Sequence, residues 1–227
     1  MDYLLFATRN GTVKRTSSDE YGNIRQSGLV AINLSAKDEL LTVKATTGNS
    51  LVLLVSQKGK CILFDEEDVR PTGRSTQGVR GILLKNDDKV VGMATIEKNE
   101  YKDKTAGELI IITANGYGKA SKLSGYSVQG RGGQGVFTAK VTSKTGQVVA
   151  MRVIKRNDAK TAATKRAEET TDIVDEYEIG ADLLVTSAQG QTIRLPLDDV
   201  PTLGRQTQGV RIIKLNSGDQ AKALAIL

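Results

Sequence analysis

Histidine and tryptophan are absent from this chain, and it holds one cysteine and three prolines. Without histidine there is no Ser-His or Cys-His catalytic pair, no imidazole metal ligand and no side-chain base near neutrality. The lone Cys61 cannot form an internal disulfide and offers no metal-ligand spacing. Six tyrosines and three phenylalanines are too few for a large aromatic stacking platform. No apolar run nears the roughly 18 residues a membrane-spanning helix needs, and nothing at the start reads as a signal peptide. What the 227 residues do have is glycine, 23 of them, and a formal net charge of +6. The composition describes a cytoplasmic, basic, turn-rich protein that needs no metal or cofactor and is poorly equipped for catalysis.

One pattern recurs four times. An apolar run (Leu4–Ala7, Leu51–Val55, Leu109–Ile112, Leu183–Val185) leads into a polar turn closed by glycine: Gly11, Gly59, Gly116 and Gly190. Asn10-Gly11 and Asn115-Gly116 are strong hairpin signals, because both residue types tolerate positive φ. A second strand follows, then a loop ending in another glycine: Gly28, Gly78, Gly135 and Gly209. Turn glycine and second glycine lie 17 residues apart in the first copy and 19 in the other three. After the second glycine the pattern predicts a strand (Leu29–Leu34, Val79–Leu84, Val136–Val141, Val210–Leu215), a polar turn, and a last strand (Leu40–Lys44, Val90–Ile96, Val148–Ile154, Ala221–Ile226).

Four short strands per repeat with no long helical pattern predict an all-β, propeller-like architecture, since one blade cannot bury both faces alone. A pair of β-sandwiches would have the same number of strands but not the in-register repeat. The expected blades are residues 1–47, 48–97, 108–154 and 180–227 of one domain, with inserts at 98–107 and 155–179. The second insert shows no apolar face and reads as a loop, with a short stretch of helical composition at Ala162–Glu169.

The second glycine closes a repeated element: Gly73-Arg74-Ser75-Thr76-Gln77-Gly78-Val79-Arg80, Gly130-Arg131-Gly132-Gly133-Gln134-Gly135-Val136-Phe137 and Gly204-Arg205-Gln206-Thr207-Gln208-Gly209-Val210-Arg211. Three readings are open to it. It can be a turn whose polar groups satisfy loop backbone. It can be a nucleotide fingerprint, since Gly130–Gly135 fits G-x-G-x-x-G, but a strand pattern follows where a helix is needed and Lys155 stands near the position of the required acid. It can also be a turn that contacts phosphate once per blade, its backbone N–H groups close to the anion and its Arg supplying a forked cation. Lys14, Arg15, Lys119, Lys122 and Arg194 are further basic residues that such a surface could use, although Lys and Arg on strand edges also guard against aggregation. The acidic run Asp65–Asp68 falls at a fixed place in the repeat, as Asp199 does, and reads as loop capping rather than a metal site.

The strings Leu5-Phe6-Ala7-Thr8-Arg9-Asn10-Gly11-Thr12-Val13-Lys14-Arg15-Thr16, Gln129-Gly130-Arg131-Gly132-Gly133-Gln134-Gly135 and Gly204–Arg211 resemble the C-terminal domain of the bacterial DNA gyrase A protein, one of the type IIA topoisomerase A subunits. The resemblance implies a β-pinwheel, a disc whose blades exchange strands and whose basic perimeter wraps double-stranded DNA. It also implies a role in ATP-dependent negative supercoiling beside a breakage-reunion domain and the gyrase B protein, at the nucleoid. The fragment itself is expected to be monomeric and non-catalytic. The DNA-contacting residues expected from pattern and resemblance together are Lys14, Arg15, Arg74, Arg80, Lys119, Lys122, Arg131, Arg205 and Arg211. In the family's first-blade box, Gln-Arg-Arg-Gly-Gly-Lys-Gly, Arg and Lys stand where this chain has Gly130 and Gln134. Four blades against the usual six imply a fragment that begins partway round the disc. The corresponding domain of topoisomerase IV, with fewer blades and a worn box, is the close alternative, and a protein-interaction propeller the more distant one.

Overall fold

A computed structural model describes residues 2–24, 26–156, 176–177 and 181–227. The strands, in chain order, are β1 (Tyr3–Thr8), β2 (Thr12–Ser17), β3 (Leu40–Thr46), β4 (Ser50–Ser56), β5 (Lys60–Asp65), β6 (Val79–Arg80), β7 (Val90–Glu97) and β8 (Glu108–Thr113). They continue with β9 (Tyr117–Lys122), β10 (Val136–Phe137), β11 (Val148–Arg156), β12 (Glu176–Tyr177), β13 (Asp182–Ser187), β14 (Thr192–Pro196), β15 (Val210–Arg211) and β16 (Ala221–Ile226). The only α-helix among the described residues is Lys98–Lys102, inside the first insert. Most of the second insert, with the expected stretch Ala162–Glu169, lies outside the described residues; at its ends β12 pairs in parallel with β11.

The chain divides into two compact units. One comprises Met1–Lys102 and Tyr126–Thr138 and holds two four-stranded sheets, ordered β3-β1-β2-β6 and β10-β5-β4-β7. Its core joins Leu5, Ala7 and Val13 of the first sheet to Val52, Leu54, Ile62 and Phe64 of the second. The other unit, Asp103–Gly125 and Ala139–Leu227, holds the sheets β12-β11-β8-β9-β15 and β14-β13-β16. There Ile110, Ile112 and Ala120 pack with Leu183, Val185 and Leu224. β4 and β8 are buried along their whole length, consistent with their unbroken apolar runs.

The fold is the all-β β-pinwheel, and the strand after Gly78, Gly135 and Gly209 joins the sheet of the preceding repeat, not its own. β6 pairs antiparallel with β2, β10 with β5 and β15 with β9. These donated strands are two residues long instead of the six expected from the repeat. In the second repeat the chain turns at Gly81, where the N–H groups of Gly81 and Ile82 both donate to the Gly11 carbonyl (2.8 and 3.3 Å), and Ile82 enters the core. The first repeat's counterpart, Leu29–Leu34, forms no strand among the described residues and leaves Val30 and Leu34 exposed.

Candidate nucleic-acid interface

Donation explains the second glycine. A Cβ on Gly78 would sit 2.4 Å from the Val13 carbonyl oxygen, and one on Gly135 would sit 2.1 Å from that of Cys61. Both adopt positive φ (92° and 66°), so the incoming chain crosses the acceptor strand too closely for any side chain. Gly28 has φ 76° but nothing within 4 Å of its would-be Cβ. The glycine's first task is therefore steric, and the Arg and Gln before it have their own surroundings.

A second regularity links the elements. The backbone N–H five residues past one second glycine donates to the carbonyl two residues before the next. Asn33 donates to Thr76 (3.0 Å), Leu83 to Gly133 (2.8 Å) and Lys140 to Thr207 (3.0 Å). Within each unit, successive glycine elements are thus stitched end to end. The box-like heptad follows suit: Gln129 N–H donates to Leu63 (2.8 Å) and Gly132 N–H to Gly81 (2.7 Å), while Gln134 stays exposed.

The nine expected contact residues separate into three groups. Arg80, Lys122, Arg131 and Arg211 are exposed. Arg131 lies beside Arg80, its Nε donating to the Asp68 carbonyl (2.7 Å) and its Nη1 to the Arg80 carbonyl (3.2 Å), which brings two guanidinium-bearing residues together. Arg74 and Arg205 are half-buried, and Arg74 faces Glu20 at 3.9 Å. Arg194, the extra candidate, is exposed and bonded to Asp182 at 2.5 Å.

Lys14, Arg15 and Lys119 must be corrected, because all three are buried. Lys14 donates to Thr16 Oγ1 (2.5 Å) and the Ala31 carbonyl (2.9 Å) beneath the Phe6 ring. Burial pulls its pKa down, opposed by the negative charge of Glu20. Lys119 donates to the carbonyls of Gly204 and Arg205 (2.6 Å each) and to Thr207 Oγ1 (3.1 Å). Arg15 stacks on Tyr3 and pairs at 3.7 Å with Glu66, which accepts from Thr46 Oγ1 and Ser50 N–H at 2.6 Å each. Lys14 and Arg15, adjacent on β2, point to opposite faces of a strand covered on both sides, and Lys119 lies in the buried run of β9. A buried cation persists only where carbonyls, hydroxyls or a carboxylate replace its water.

Sequence reasoning missed two devices. Aspartates at a constant offset hold the hairpin turns: Asp38 accepts from Asn10 N–H (2.9 Å), Asp88 from Lys58 N–H (2.9 Å) and Asp219 from Gln189 N–H (3.1 Å). The spacing from the second glycine (Gly28, Gly78, Gly209), ten residues each time, was the available signal. The second device is a cross-strand pairing of cation and ring. Lys60 Nζ lies 3.8 Å from the Phe137 centroid, and Tyr117 lies between Arg211 (5.7 Å) and Lys144 (5.5 Å), its hydroxyl accepting from Arg211 Nη2 at 3.3 Å. That hydrogen bond first, and then the two positive charges, lower the Tyr117 pKa against the effect of burial.

The acidic run does cap its turn, with Asp65 accepting from Glu67 N–H at 2.9 Å. Among the described residues no group of His, Cys, Asp and Glu has the arrangement of a metal site, and no helix is long and apolar enough to cross a membrane. Comparison with known proteins decides the family. Residues 2–47, 50–97, 107–155 and 181–227 match, repeat by repeat, the family described as DNA gyrase C-terminal domain, beta-propeller. The chain belongs to that family. It is 37% identical over 224 residues to the DNA gyrase A protein of Staphylococcus epidermidis, covering 99% of this chain and 22% of the relative. It therefore spans about a fifth of that protein's length. A solved DNA gyrase A C-terminal domain superposes with TM-score 0.76 at 25% identity, over 100% of this chain and 66% of that one. The C-terminal domain of a DNA topoisomerase IV superposes with TM-score 0.81 at 21% identity, over 100% and 62%, a likeness of fold.

Proposed function

We propose that this chain binds double-stranded DNA without reading its sequence and bends the duplex along its stitched glycine elements. The observation that carries the reading is the exposure of Arg80, Arg131 and Arg211 on those elements, in a chain of net charge +6. Guanidinium groups on short donated strands reach phosphate oxygens as forked donors, and repeated backbone contacts carry no base information. Bending costs on the order of 1–6 kcal/mol per 20–30 base pairs, and counterion release at each neutralised phosphate offsets it. Lys122 adds charge at the end of β9, and Arg74 and Arg205 contribute their exposed portions.

In the parent protein the domain presents a bent DNA segment to the breakage-reunion part of gyrase A. The outcome is negative supercoiling driven by ATP hydrolysed on gyrase B, in the cytoplasm at the nucleoid. The domain by itself performs no chemistry and works as a monomer. The likeness to the topoisomerase IV domain favours a second reading, recognition of DNA geometry without supercoiling; gyrase is preferred on the 37% identity to a gyrase A protein.

Gel-shift titration of unrelated linear duplexes across rising salt tests the reading. Affinity should be alike for all sequences and should fall with a log–log slope of about −0.9 per phosphate contact. Failure to bind at low salt, or binding indifferent to salt, would remove it.

A further inference from the structure

One cross-strand position is equivalent in three sheets. The residue after the turn glycine faces the residue two past the donated glycine: Thr12 faces Arg80, Lys60 faces Phe137 and Tyr117 faces Arg211. In the second and third pairs an aromatic ring meets a cation. In the first pair the cation is present and the ring is missing. A cleft of about 390 Å³ opens there, floored by Ile82 and Leu84 and bordered by Ser35, Gln77, Thr12 and Arg80.

We propose that this cleft seats a nucleobase, whose ring takes the place that Tyr117 fills opposite Arg211 in the third sheet. Arginine suits the task, because its planar, weakly hydrated guanidinium stacks on π faces. The volume lies within the range of small-ligand clefts, and the apolar floor suits a ring face. The rim supplies what a base edge needs. Ser35 and Gln77 are exposed, and among the described residues their side chains make no hydrogen bond, so a hydroxyl and an amide are available to ring nitrogens and exocyclic groups. Gly11, in the lining, puts no side chain against Ile82 and Leu84. The base can come from an unpaired nucleotide in DNA or from a free nucleotide.

Fluorescence titration with 2-aminopurine separates these sources and tests the cleft independently of duplex binding. One probe is the uncharged 2-aminopurine deoxyriboside; the other is a duplex carrying 2-aminopurine in a single-stranded gap. A saturable fluorescence change with either probe supports the site: the deoxyriboside responding points to free nucleotides, and the gapped duplex alone points to DNA. Thr12→Tyr supplies the ring found in the third repeat, and should abolish the response while fully paired duplex binds as before. Arg80→Ala should weaken the deoxyriboside response at least about fivefold, the low end for one stacked base, and carries the test alone if Thr12→Tyr does not fold. No response to either probe, a full response in Thr12→Tyr, or an unchanged one in Arg80→Ala overturns the proposal. Loss of paired-duplex binding by the parent chain would instead count against the DNA reading.

Discussion

Lys119 donates its ammonium to the carbonyl of Arg205 at 2.6 Å, from a side chain almost wholly buried in β9. It also holds Gly204 and Thr207, so the cation of one repeat anchors the glycine element donated by the next. Lys119→Met removes the ammonium and strands two inward carbonyls, at about 1–3 kcal/mol. Urea unfolding should show that loss, while the salt dependence of DNA affinity stays that of the parent chain. A shallower salt slope would place Lys119 against phosphate instead.

Gly78 and Gly28 share positive φ but differ in surroundings. Alanine at Gly28 meets only backbone strain, about 1–2 kcal/mol. At Gly78 the new methyl also strikes the Val13 carbonyl, adding about 1–3 kcal/mol of overpacking. Paired unfolding curves of Gly28→Ala and Gly78→Ala should therefore separate clearly, and equal losses would mean that β6 does not cross β2 so closely.

The repeat was legible because it lies in local sequence. Asn-Gly turns, apolar runs and equal glycine spacings each speak within about twenty residues, and the first and last strands fall close to where the pattern put them. Strand exchange is a pairing across repeats, and spacing is the same whether a strand joins its own sheet or the one before. Val79–Leu84 reads as one strand, but only Val79 and Arg80 pair, and the apolar residues after them are there because Ile82 plugs the core once the chain has turned. The site was misread where charge stood for exposure. Lys14 and Lys119 look like surface lysines until the carbonyls that receive them, from Ala31 and from Gly204 and Arg205, are brought together in space.

Lys14 makes a prediction at alkaline pH. Burial lowers its folded pKa below the unfolded value, so between those two pKa values the unfolded chain binds more protons and stability rises with pH. Unfolding measured at pH 8 and pH 10 should show this gain in the parent relative to Lys14→Met, which has no ammonium to titrate. The same pH response in both proteins would contradict it.

Tyr117 should ionise below the usual tyrosine range, because Arg211 donates to its hydroxyl and Lys144 adds positive charge. Ultraviolet titration of the phenolate should show an early-titrating group among the six tyrosines. Arg211→Ala should move that group upward; an unchanged curve would separate the two side chains in solution.

On the proposed reading, exposed arginines on the stitched glycine elements hold DNA phosphates. The most direct measurement compares the salt dependence of duplex affinity for the parent chain and for the combined variant Arg80→Ala, Arg131→Ala, Arg211→Ala. The triple variant should show a log–log slope shallower by about 2.7, one counterion step for each lost phosphate contact, with the fold intact by circular dichroism. A folded triple variant that keeps the parental slope would contradict it.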